Sequence, residues 1–130
     1  MDYVSAGILR RNDQILVCQR PEDCAFGLQW EFPGGKREAG ESAEECLIRE
    51  LREELDLELN PEKIHPFFVL TRPDTGLHMD FLIVDADSYQ PRMLEHNGMQ
   101  WVRKNELDKF DFCINDKLML EQISIDDLFA

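Results

Sequence analysis

Between residues 38 and 58 the chain carries nine carboxylates, at positions 38, 41, 44, 45, 50, 53, 54, 56 and 58. The same segment holds a regular apolar stripe. On a helix, Glu50 lies one turn from both Glu53 and Glu54, because residues three and four apart are neighbours. Three carboxylates can then converge on one point. Like charges at this spacing weaken an isolated helix, so their grouping asks for a positive partner. Hard oxygen ligands of this kind suit Mg²⁺ or Mn²⁺, held jointly by carboxylates and substrate phosphates. A solvated acidic face, with Arg49 and Arg52 making surface pairs, accounts for the same spacing.

The element that must position these groups is a helix starting at Ser42. Ser42 with Glu45 three residues later forms a capping box, and Ala43, Leu47, Leu51 and Leu55 recur every four residues to give a core-facing side. Asn60-Pro61 stops it. Ahead of it, Val4–Leu9 and Gln14–Gln19 read as strands around the turn 10–13. Arg20 closes the second strand, and residues 21–28 read as a loop. Residues 29–35 form a short apolar piece ending in a Pro-Gly-Gly turn, whose glycines permit close backbone approach and unusual dihedrals.

After the helix, Ile64–Thr71 and Leu77–Asp85 flank a Pro- and Gly-containing hairpin loop. His78, early in the second of these strands, fits a packed or edge histidine better than a catalytic one; it is kept as a candidate substrate contact. A polar loop follows, then a short strand at Met99–Val102 and a turn or short helix over 104–110. A closing helix is expected over Asn115–Phe129, anchored by Leu118, Ile123, Ile125 and Leu128.

A chain of 130 residues, 43% apolar, fits one globular domain with a substantial core. No apolar run approaches the length that spans a bilayer, and the N-terminus enters a strand pattern without signal-peptide regions, so a cytoplasmic location is expected. The four cysteines lack zinc-ligand spacing and read as buried free thiols. Fourteen basic against 27 acidic residues give a net charge of −13, which repels nucleic-acid polymers and anionic membranes. A small anionic ligand fits if a metal bridges it and cations such as Arg20 and Lys36 line the site.

Gly35, Glu41 and the run Arg49-Glu50-Leu51-Arg52-Glu53-Glu54-Leu55-Asp56-Leu57 closely resemble the Nudix box, Gly-x5-Glu-x7-Arg-Glu-apolar-x-Glu-Glu-x-Gly-apolar. Eight of its nine specified positions match. The departure is Asp56, where the family usually has Gly to end the helix in a left-handed turn, a conformation Asp tolerates better than most residues. The resemblance extends to the MutT-like branch. Trp30-Glu31-Phe32-Pro33-Gly34-Gly35-Lys36 is similar to that branch's approach to the box, Glu95 before Trp101-Val102 to its extra acidic residue, and Asp111–Asn115 to the stretch preceding its last helix.

The resemblance implies an α/β fold, a mixed β-sheet between α-helices, over residues 1–130. It further implies Mg²⁺-assisted hydrolysis of a nucleoside diphosphate linked to another group, giving a monophosphate and pyrophosphate from a triphosphate; Mn²⁺ is an alternative cation. The Gly34 carbonyl, Glu50, Glu53, Glu54 and Glu95 would form the metal shell, with Glu41 a further candidate. Arg49 would hold the glutamates by ion pairing, and Lys36 would lie near the phosphates. Glu53, Glu54 and Glu95 all qualify as general base. Arg20 would contact the nucleotide, Phe32 and Trp30 would stack on the base, and Asn115, which also reads as a helix cap, would address a purine edge. The substrate expected is an oxidised purine deoxynucleotide of the 8-oxo-dGTP type. The alternatives are a CTP- or dCTP-type pyrophosphohydrolase and a non-catalytic nucleotide-sensing module. Relatives occur as monomers and homodimers, and both states stay open.

Overall fold

The computed structural model describes residues 1–130 throughout. Its strands are β1 (Asp2–Arg11), β2 (Gln14–Gln19), β3 (Trp30–Glu31), β4 (Gly34–Lys36), β5 (Ile64–Arg72), β6 (Leu77–Asp85) and β7 (Gly98–Arg103). The α-helices are α1 (Ala43–Leu55), α2 (Ile114–Gln122) and α3 (Ile125–Leu128), with 3-10 turns at Pro61–Lys63 and Lys104–Lys109. One mixed sheet holds all seven strands in the order β3-β2-β1-β6-β5, with β4 paired to β1 and β7 to β2. β1 runs parallel to β6 and antiparallel to β2 and β4.

Strand alternation separates two cores. Leu9, Leu16, Cys18, Leu82 and Val84 face one side, where Leu47, Leu51 and Leu55 of α1 cover them. Ala6, Ile8, Ile15, Val17 and Phe81 face the other, against Met119 of α2 and Leu128 of α3. Helices therefore cover both faces of the sheet. Ser5, buried among the apolar residues, donates its hydroxyl to the Ala43 carbonyl (2.9 Å) and ties the start of α1 to β1.

Three features differ from the sequence expectations. The closing helix is broken: Ile123 and Ser124 are extended (ψ 168° and 126°), and the break lets Met119 and Leu128 both reach full burial. Gly34 and Gly35 lie in strand β4, opposite Ala6 and Ser5 of β1, and not in a turn. The left-handed glycines are Gly40 and Gly76. Of the four free thiols, Cys18, Cys46 and Cys113 are buried, while Cys24 is half-buried in the loop after β2.

Candidate active site

The start of α1 is set by the Ser42–Glu45 capping box, with both reciprocal hydrogen bonds present. The helix ends at Asp56, which is left-handed (φ 56°, ψ 42°). Between these ends the apolar stripe faces the sheet and the carboxylates are graded by depth. Glu53 is half exposed, Glu50 is 16% exposed at its side chain, and Glu54 is buried. Glu54 Oε1 has no hydrogen-bond partner. Burial first, then Glu50, Glu31 and Glu95 nearby, push the Glu54 carboxyl far above the usual carboxylate range.

Arg49 binds the helix to the preceding segment. Its guanidinium donates to both Glu41 oxygens (2.7 and 3.0 Å), to Glu50 Oε1 (2.9 Å) and to the Lys36 carbonyl (3.0 Å); Glu53 Oε2 lies 3.6 Å away. These bonds pull Glu41 down to about 2. Glu41 also accepts from the Glu38 amide, so it is committed to Arg49 and its own loop, apart from Glu54. The two glycines of β4 allow close approach. A Cβ on Gly35 would run into the Glu50 carboxylate, and one on Gly34 into the backbone of Ser5.

Two adjoining cavities share Arg20, Glu31 and Gly34. The larger, about 570 Å³, also reaches Lys36, Asn115 and Asp116. The smaller, about 240 Å³, reaches Glu54, Glu95 and His96. Arg20 donates to Glu31 (2.9 Å) and to the Ala25 carbonyl (2.8 Å). Asn115 Oδ1 accepts from Arg72 (2.9 Å). Asp116 is buried, accepts from the Phe32 amide (3.0 Å), and is pushed by burial up to about 7.

The remaining expected contacts are placed differently. Phe32 is 2% exposed, stacked on Phe112 (5.6 Å) with Phe81 edge-on, so it floors the larger cavity without a free ring face. Trp30 packs edge-on against Phe110 (4.9 Å), outside the cavity lining. His78 lies between Leu77 and Met79, which line the cavity, so strand alternation turns it to the opposite face, beside Tyr3 and Asp80. The aromatic exposed at the cavity rim is Phe26, in a left-handed conformation (φ 57°). Phe26, Glu31, His96 and Asp116 are the residues that sequence reasoning passed over. A polar residue inside an apolar stretch, as at Glu31 between Trp30 and Phe32, is the only local signal any of them carries.

An all-oxygen donor set, one of its atoms buried without a partner, fits a hard divalent cation. Nowhere do three His, Cys, Asp or Glu side chains close into a cage. An open cluster is what Mg²⁺ favours, because it keeps waters and substrate phosphates in its shell.

Known proteins bear on this arrangement. The chain is 34% identical over 110 residues to the 8-oxo-dGTP diphosphatase of Haemophilus influenzae, covering 84% of this chain and 81% of that protein. It is 49% identical over 58 residues to the CTP pyrophosphohydrolase of Escherichia coli, covering 45% of this chain and 43% of that one. A MutT structure from work on the Aliivibrio salmonicida and Vibrio cholerae proteins superposes with a TM-score of 0.81 at 32% identity, covering 93% of this chain and 94% of the other. The NUDIX domain family model matches residues 1–123, and with its box glutamates intact the chain belongs to that family as a Nudix hydrolase.

Proposed function

We propose that the protein is a Mg²⁺-dependent nucleoside triphosphate pyrophosphohydrolase that converts oxidised purine deoxynucleotides of the 8-oxo-dGTP type to monophosphate and pyrophosphate. The observation that carries the reading is the buried, unpartnered oxygen of Glu54, on the smaller cavity, which shares Arg20 with the larger one that holds Lys36 and Asn115. Glu50, Glu53, Glu54, the Gly34 carbonyl and Glu95 would hold the cation. When bound, the cation neutralises the diphosphate and lowers the pKa of an attacking water. Arg49 fixes the helix carboxylates against the Lys36 backbone, and the Lys36 side chain meets phosphate from the cavity wall. The general base is one of Glu53, Glu54 and Glu95.

A cavity of about 570 Å³ is of the size that takes a nucleotide base and sugar. With its oxygen engaged by Arg72, Asn115 offers an N–H donor, and Asp116 beside it offers a carboxyl. Together they suit a base edge that pairs an acceptor with a donor. The O6 and N7–H of 8-oxoguanine provide that pair, whereas O6 and N7 of guanine are both acceptors. Cytosine, with N3 and N4–H₂, fits the same pair. That match, with the similarity to a CTP pyrophosphohydrolase over 58 residues, supports a CTP- or dCTP-directed activity as the second reading. Hydrolysis of free nucleotides implies a cytoplasmic setting, in keeping with four unpaired cysteines.

The test is a panel of 8-oxo-dGTP, dGTP, dCTP and CTP assayed with Mg²⁺ for pyrophosphate and monophosphate. Turnover of 8-oxo-dGTP well above dGTP is expected, with a loss of about 10²-fold or more in Glu54→Gln. Orthophosphate as product, or full activity in Glu54→Gln, would sink the reading; preference for dCTP or CTP would select the second.

A further inference from the structure

His96 follows Glu95 in the loop between β6 and β7, and its side chain is only 5% exposed. Its Nε2 lies 3.1 Å from Glu31 Oε2 and 3.7 Å from Glu54 Oε1. Its Nδ1 is buried with no partner. Glu31 is a carboxylate acceptor, so Nε2 donates the hydrogen of this contact. The other oxygen of Glu31 takes the Arg20 guanidinium (2.9 Å). One imidazole N–H thus stands between the Arg20–Glu31 pair, which borders the larger cavity, and the most deeply buried carboxylate of the acidic cluster.

The backbone around His96 is anchored on both sides. The Arg92 and Leu94 amides donate to the Leu55 and Glu54 carbonyls at the end of α1 (2.8 and 3.0 Å). Asn97 donates from its amide to the Gln19 carbonyl (2.9 Å) and from its side chain to Gln19 Oε1 (2.7 Å), at the end of β2. The imidazole is therefore delivered by a segment tied to α1, which carries Glu54, and to β2, which pairs with the strand that carries Glu31. Without its N–H, two acidic side chains on the wall of the smaller cavity would face each other with no donor between them, an arrangement that like charge makes costly.

We propose that His96 is a positioning residue: its Nε2–H fixes Glu31, and with it Arg20, against Glu54, so that the nucleotide-binding and cation-binding halves of the site keep one geometry. The proposal rests on the reading of Glu54 as a cation ligand. Groups that orient metal ligands from behind typically alter metal affinity or activity about 10- to 100-fold when removed.

The experiment compares His96→Leu, His96→Asn and His96→Gln. Leu keeps the volume and removes the donor. Asn places its amide near the Nδ1 position, short of Glu31, whereas the Gln amide extends to the Nε2 position. Mn²⁺ affinity of the nucleotide-free protein is read by electron paramagnetic resonance, and KM and kcat separately with the best nucleotide of the panel. Leu and Asn are expected to weaken Mn²⁺ binding and raise KM, each about tenfold or more, and Gln to restore most of both. Unchanged Mn²⁺ affinity and KM in His96→Leu overturns the proposal, as does equal impairment in Leu and Gln, which marks packing alone. If His96→Leu does not fold, the contrast between Asn and Gln decides. Because the Mn²⁺ titration needs no turnover, a wild-type protein that hydrolyses no nucleotide refutes the proposed function while His96 is still read independently.

Discussion

Asp116 and Glu54 are carboxyls that burial pushes in the same direction, with different consequences. Glu54 lies among other acids, Glu50, Glu31 and Glu95, which raise it further. Asp116 is buried on the wall of the larger cavity and accepts a hydrogen bond from the Phe32 amide. Its folded value, about 7, lies above its ordinary 3.8, so between those values the folded protein binds a proton that the unfolded chain has released. Stability from this group is therefore greatest below about pH 4, falls as pH rises to about 7, and is level above that. Asp116→Asn keeps the acceptor for the Phe32 amide and removes the ionisation. The variant is expected to gain on the wild type steadily from pH 4.5 to 7, by a few kcal/mol and at most about 4. Urea unfolding at fixed pH values measures the difference. A gap that does not vary with pH would mean that Asp116 ionises equally in both states.

At the scale of elements, the left-handed residue that ends α1 is the clearest local test. Asp56 replaces the glycine usual there, and its contact with Arg92 (3.3 Å) is exposed and adds little. Asp56→Gly should stabilise by about 0.5–1 kcal/mol, because a Cβ costs about 1 kcal/mol in this region, and Asp56→Ala should weaken the protein, because alanine keeps the Cβ and loses the short polar side chain that can hydrogen-bond locally there. A shift in urea midpoint reports both, and a glycine variant no more stable than the wild type would remove the strain argument. α1 is legible in sequence because everything that defines it is local: Ser42, Glu45, the leucine stripe and Asp56. β4 is not, since Gly34 and Gly35 become a strand only by pairing with Ser5 and Ala6, nearly thirty residues away. The break at Ile123 and Ser124 escapes the apolar pattern because two short helices bury Met119 and Leu128 better than one straight helix. Of the site, the carboxylates are legible from their spacing. Their grading by depth, the burial of His96 and the packing of Phe32 depend on contacts between distant segments, which spacing does not encode.

Across the whole molecule, a net charge of −13 repels itself in the folded state, and residues 38–58 carry nine of the 27 acidic side chains. Simple salt relieves the diffuse part by screening. On the proposed function a divalent cation should do more, because it would bind the folded arrangement and not the unfolded chain. By linkage, Mg²⁺ at 100 times its dissociation constant should add about 2.7 kcal/mol to folding stability. Sodium chloride at the same ionic strength should add less, and the excess should vanish in Glu54→Gln. Protons compete for the same carboxyl: Glu54 is raised by burial and by Glu50, so binding the cation displaces a proton and the Mg²⁺-specific gain should shrink as pH falls. Thermal unfolding of wild type and Glu54→Gln, in matched salt and at two pH values, separates these contributions. Equal stabilisation by Mg²⁺ in both proteins would mean that the cation acts on the acidic surface as a whole. The buried, unpartnered oxygen of Glu54 would then be a cost of the fold and not a binding site.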